Sequence, residues 1–148
     1  MAQKEVKISI RPMEPEDIHG ILEVDRKIGG QQRAITYRDL VRDYLGGHID
    51  FSLVAEIENQ MIGFVLAYLT YVAEKVTEAC VIQIFGVDPD HGRQGIATKL
   101  IQAQLDQCRK KGIKQVRVMV EERDNPLQNF FKHVGFDRSR FLVYSKSP

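Results

Sequence analysis

Val87-Asp88-Pro89-Asp90-His91-Gly92-Arg93-Gln94-Gly95-Ile96-Ala97-Thr98-Lys99-Leu100 joins the end of an apolar run to a proline, a glycine-punctuated loop and the first turn of a helix. Glycines at 92 and 95 permit tight or positive-φ backbone and let a ligand approach without meeting a Cβ atom. The first N–H groups of a helix have no intrahelical acceptor, and the positive end of its dipole favours an anion. The stretch therefore reads as a phosphate cradle.

The flanks agree with that reading. Ala79 to Val87 is an almost unbroken apolar run of strand length, as expected of a central strand covered on both faces. Downstream, Ile96, Leu100, Ile101, Leu105 and Cys108 recur at helical spacing, with Lys99, Gln102, Asp106 and Arg109 on the other side. Lys110 and Lys111 suit the negative helix end, and Gly112 is placed to stop the helix. Val116, Val118 and Val120 then alternate with Arg117, Met119 and Glu121, which predicts a second strand. Two common nucleotide loops are excluded: no lysine with a following Ser or Thr adjoins Gly95, and there is no third loop glycine with an acidic ribose ligand beyond it.

Gly95-Ile96-Ala97 resembles the second half of the pyrophosphate loop of the GNAT superfamily of acyl-CoA N-acyltransferases, although Gly92 stands where that family usually has Gln or Arg. The likeness extends over most of the chain. Val6 to Met13, then Glu14 to Asp17 with Ile18, Ile21 and Leu22, is similar to the family's first strand and helix; Asn125 to Phe136 is similar to its last helix, closed by Gly135-Phe136. The resemblance implies that backbone around Phe85, Gly86 and Val87, with Gly92, Arg93, Gln94, Gly95, Ile96, Ala97 and Thr98, holds acetyl-CoA as co-substrate. Asn129 and Phe131 would lie beside the pantetheine arm, and Phe131 occupies the place of a tyrosine that is a frequent general acid in the family.

The order predicted along the chain is a strand (6–13), a helix (15–28), a short helix (37–45), strands 51–58 and 61–71 with a turn at Glu58-Asn59-Gln60, the strand, helix and strand unit, the Asn125 helix, and a final strand near 141–146. The fold expected is α/β: a GNAT-like mixed, mostly antiparallel sheet with helices on both faces and one parallel crossover at the centre, splayed where coenzyme A would enter. Gly86 is a candidate for the bulge that starts the splay. The 148 residues, 43% hydrophobic and 28% charged, fit a single domain spanning 1–148.

A net charge of +1 gives no general reason to expect nucleic acid or an anionic membrane. Cys80 and Cys108 read as buried thiols, the N-terminal residues begin no signal peptide, and no apolar stretch is long enough to span a bilayer, so a cytoplasmic location is expected. The four histidines lack metal-ligand spacing, so no metal is expected. His91 is placed to touch a phosphate or merely to face solvent. Gln83, polar within an apolar strand, either holds a water or acceptor amine or satisfies a neighbouring backbone group.

Transfer to an amine needs the neutral form, and an alkyl amine of pKa ~10.4 is about one part in a few thousand unprotonated at pH 7. Glu78 is the candidate base, with a solvated strand-end glutamate as the alternative; backbone N–H groups near Phe85 to Val87 are candidates for the oxyanion. Phe131 cannot give the leaving thiolate a proton, which leaves Tyr144 or Tyr71 as donors, or unassisted departure. The function expected is an acetyl-CoA-dependent N-acetyltransferase acting on an amine-bearing small molecule or protein. The alternative is a non-catalytic acyl-CoA-binding or regulatory domain. In the family the acceptor is set by the segment here running from Gly29 to Thr36 and by the closing strands; only twelve residues follow Phe136, so the final hairpin is either abbreviated or completed by a second copy in a homodimer.

Overall fold

The computed structural model describes residues 7–29, 51–72, 77–92 and 94–148, with backbone alone at 71, 72, 77 and 78. The expected helix at 37–45 and the Gly30 to Thr36 segment lie outside the described residues. Strand β1 (Ile8–Pro12) leads through a 3-10 turn (Pro15–Asp17) into α1 (Ile18–Gly29). Then come β2 (Leu53–Ile57), β3 (Gln60–Val72), β4 (Thr77–Val87), α2 (Ile96–Lys110), β5 (Gln115–Val118) and α3 (Asn125–His133). The five strands lie in sequence order, antiparallel except for the β4–β5 pair. The parallel pair thus stands at one end of the described sheet rather than at its centre, because β5 is last in the order.

Each face of the sheet carries a core. Ile18, Ile21 and Val24 of α1 pack with Met13, Val54, Phe64 and Leu66 on one side. On the other, Ile96, Leu100 and Ile101 of α2 and Phe131 of α3 pack on Leu53, Ala55, Val65 and Ile82. The expected turn after β2 forms with Glu58 and Asn59 both at positive φ, 50° and 64°, as a tight hairpin between right-twisted strands requires.

Two register shifts set which side chains reach which core. In β3 against β2, Ala55 pairs with Gly63 and Glu56 with Met61, which makes Ile62 the extra residue. In β4 against β3, Ile84 pairs with Leu66 and Ile82 with Ala67, which makes Gln83 the extra residue. The bulge is therefore at Gln83, not at Gly86, and it sends Ile82 and Ile84 to opposite cores. Gln83 is exposed, so its amide needs no buried partner. Gly86 is small for a different reason: a Cβ there would stand 2.6 Å from Ile28 Cδ1 and 3.2 Å from Phe64 Cε1.

Both long helices flanking β5 end alike. After α2, Gly112 (φ +76°) donates to the Arg109 carbonyl and Ile113 to that of Cys108; after α3, Gly135 (φ +98°) donates to Lys132 and Phe136 to Phe131. These are paired Schellman bonds, with glycine supplying the left-handed residue. The strand expected at 141–146 does not form: the segment has no strand pairing, and Leu142, Val143 and Tyr144 are 76%, 73% and 89% exposed. Its residue types favour strands, but that preference is expressed only where a partner and a packed face are present.

Candidate active site

The predicted cradle is built at the mouth of α2. Asp88 caps the 3-10 turn Pro89–His91, with Oδ1 accepting the Asp90 N–H at 2.9 Å. Gly92 has φ −62° and ψ 155°, ordinary extended backbone, so of the two loop glycines only Gly95, at φ +73°, needs its conformational freedom. Gly95 is the N-cap of α2, no side chain caps the helix, and the first internal bond is from Lys99 N–H to the Gly95 carbonyl at 3.0 Å. The N–H groups of Ile96, Ala97 and Thr98 therefore lack intrahelical acceptors. A Cβ on Gly95 would meet nothing within 4 Å among the described residues, so the space beside this N-cap is open. No acidic residue lies in this first turn to compete for the positive end. Ile96, 2% exposed, anchors the turn in the core. Arg93 lies outside the described residues, and Gln94 is exposed.

The strands part beside this mouth. Pairing of β4 with β5 runs from Ala79–Gln115 to Ile82–Val118 and stops, while β4 continues to Val87. Its outer edge from Gln83 to Val87 faces no strand among the described residues, and the peptide groups of Phe85, Gly86 and Val87 lie on it. Phe85 stacks on Phe130 of α3 at 5.7 Å and meets Phe131 edge-on at 5.6 Å, so the wall of this gap is aromatic. An uncapped helix start, an open strand edge and an apolar wall match the diphosphate, amide and methylene portions of coenzyme A, and the residues present fit that ligand.

Other candidates are placed as follows. Phe131 is 4% exposed and packs edge-to-face with Phe85, Phe130 and Phe136, so its ring belongs to the core. Asn129 is on the exposed side of α3. Tyr144 lies in the C-terminal segment, which has no regular secondary structure. Glu78 and Tyr71 face each other in the β3–β4 register, and their side chains lie outside the described residues. Cys80 and Cys108 are free and buried, and contact with the Cys108 thiol together with burial pushes the Cys80 thiol far above its ordinary range. No cluster of three metal-ligating side chains occurs among the described residues. A groove of about 970 Å³ lies between Arg109, Arg117, Phe136 and Phe141. Arg109 and Gly112 put it at the far end of α2, whose 15 residues at ~1.5 Å each span about 22 Å.

The sequence reading missed the role of Asp88. Its carboxyl is buried, and Oδ2 accepts from Lys27 Nζ at 3.0 Å. Burial alone would raise it, but the Asp90 N–H and Lys27 outweigh that cost and hold it below its ordinary value. The Asp-Pro spacing could have signalled a capping side chain; the partner, 61 residues away, leaves no local signal.

The acetyltransferase (GNAT) family model matches residues 18–136, and the chain belongs to that family. It is 31% identical over 95 residues to an uncharacterized N-acetyltransferase, MJ1207, of Methanocaldococcus jannaschii, covering 63% of this chain and 42% of that protein. It is 30% identical over 93 residues to N-alpha-acetyltransferase 30 of Schizosaccharomyces pombe, covering 63% of this chain and 61% of that one. The chain thus matches less than two thirds of either relative's length. Among solved structures, aminoglycoside N-acetyltransferase AAC(6')-Iy in complex with CoA superposes with a TM-score of 0.79 over 99% of both chains at 16% identity. The soil-metagenome aminoglycoside acetyltransferase meta-AAC0020 gives 0.77 over 95% of both at 19%. These likenesses show that the fold is the GNAT fold. No helix among the described residues is long and apolar enough to cross a membrane.

Proposed function

We propose that this protein is an N-acetyltransferase that moves an acetyl group from acetyl-CoA directly to a primary amine in a ternary complex. The observation that carries the reading is the conjunction of the uncapped α2 start behind Gly95 with the open β4 edge from Gln83 to Val87. Main-chain N–H groups of residues 94–98 would hold the diphosphate, and the β4 edge the pantetheine amides. Bound there, the thioester supplies an activated acyl carbonyl. Backbone N–H groups near Phe85 to Val87 then serve the developing oxyanion, fixed before reaction by the β3–β4 ladder.

Glu78 is proposed as the base that takes the amine proton, directly or through water. Of the two donors that the sequence offers, Tyr144 is 89% exposed, which argues against a donor held in place, and the Tyr71 side chain lies outside the described residues. The thiolate is therefore proposed to depart without a fixed acid, with Tyr71 the alternative donor. The names of similar proteins, one an N-alpha-acetyltransferase and others aminoglycoside acetyltransferases, guide the choice of acceptors to try.

Thiol release from acetyl-CoA in the presence of N-terminal peptides, lysine peptides, amino acids and aminoglycosides tests the proposal. Release with one acceptor, together with its acetylated product, is the expected result. The buried Phe131, with no proton to give, favours one competing reading, a non-catalytic acyl-CoA-binding domain. CoA binding with no release above background across the panel would establish that reading instead.

A further inference from the structure

Every polar group of Asp88 is engaged in shaping the start of the cradle. Its N–H donates to the Ile62 bulge carbonyl at 2.7 Å, its carbonyl accepts from His91 N–H at 2.9 Å, and Oδ1 accepts from Asp90 N–H. The remaining oxygen meets Lys27, from the last turn of α1, whose ammonium also lies 3.6 Å from Asp90 Oδ2. The Asp88 side chain is 2% exposed. Lys27 is brought there because α1 packs under the end of β4, where Ile28 fills the space that a Gly86 side chain would need.

A buried carboxylate in the loop that leads into the proposed diphosphate site is an electrostatic conflict, since a nearby fixed negative charge repels a diphosphate and burial weakens its screening. We propose that Lys27 and Asp88 form a charge-balanced positioning pair: the Asp88 carboxylate folds the 88–91 turn, and Lys27 cancels its charge so that a diphosphate can be bound beside it. The inference rests on the coenzyme A reading above.

Charge arithmetic gives the pair a signature that a merely structural contact lacks. Lys27→Met leaves a buried, uncompensated anion. Asp88→Asn keeps an oxygen to accept the Asp90 N–H and removes the negative charge. The double variant is neutral again. In calorimetric titrations with CoA, Lys27→Met is expected to weaken binding about tenfold. Asp88→Asn should bind within a few-fold of the parent, and adding it to Lys27→Met should restore most of the lost affinity. Lys27→Gln serves if the methionine variant fails to fold, and Lys27→Arg should bind as the parent does.

Equal CoA affinity in all folded variants, with only the melting temperature changing, would overturn the proposal. So would a double variant weaker than either single one. A parent protein that binds CoA, alongside a Gly95→Val variant that does not, shows that the cradle reading stands whatever the pair does. A parent that fails to bind CoA removes both.

Discussion

Gly95 combines a φ of +73° with open space where a Cβ would stand, so a side chain there is penalised by backbone conformation and would occupy the space beside the α2 N-cap where the diphosphate is proposed to bind. A valine at this position should cost ~1–2 kcal/mol in stability from the left-handed backbone alone and abolish measurable CoA binding by calorimetry. Asparagine, which tolerates that conformation, should keep the fold while still weakening binding; CoA affinity unchanged in both variants would refute the cradle. Phe131 supplies the second prediction at this scale. Phe131→Tyr adds a hydroxyl to a buried ring that packs edge-on to Phe85 of the gap wall, and turnover should rise if thiolate departure lacks a donor and the hydroxyl reaches the gap; general acid assistance is typically worth ~10²–10⁴-fold. Unchanged turnover would mean another group already serves or the hydroxyl does not reach the gap. The conformational demand at Gly95 was legible from the sequence because a glycine opening a helix after a loop is suited to positive φ. Gly92 shows no such conformational demand, since its backbone is ordinary, and Asp88 was missed because its meaning depends on a lysine from another element.

At the scale of elements, α2 could be read from the 3.6-residue period of its apolar side chains and from the glycine that ends it. Leu100 is fully buried at the centre of that face, packed close to Gly63. Leu100→Ala should cost ~2–5 kcal/mol by cavity formation, seen as a lower urea midpoint with little change in slope; a change below about 1 kcal/mol would show that the interface collapses to fill the space. The bulges at Ile62 and Gln83 were not legible, since an unbroken apolar run does not reveal where one residue leaves the ladder. The segment from Phe141 to Tyr144 misled for the opposite reason: strand-forming residue types were present, but pairing and burial were not.

For the whole molecule, acid stability follows from carboxylates that tie elements together. Arg11 grips Asp17 with two bonds, at 2.7 and 2.8 Å, and also meets Glu56, joining β1, the first turn and β2. Burial would raise the Asp17 carboxyl, but Arg11 and the Glu14 N–H hold it below its ordinary value, as Lys27 and the Asp90 N–H do for Asp88. For groups with lowered folded values, the unfolded chain binds protons first as pH falls. Their contribution is complete above the unfolded aspartate value, ~3.9, and is lost as pH drops through the folded values. Urea midpoints should therefore fall as pH is lowered from about 4 through the folded values. Asp17→Asn should be less stable at pH 7 and show a smaller fall; an equal fall in parent and variant would remove Asp17 from the account.

The sheet order, its two cores and the parting of β4 from β5 place the open strand edge beside the start of α2, and the functional claim depends on that juxtaposition. A crystal structure with CoA bound tests it most directly. The account predicts diphosphate oxygens within hydrogen-bond distance of the main-chain N–H groups of residues 94–98, with the pantetheine along β4 from Gln83 to Val87. CoA lodged elsewhere, with the mouth of α2 filled only by solvent, would contradict it.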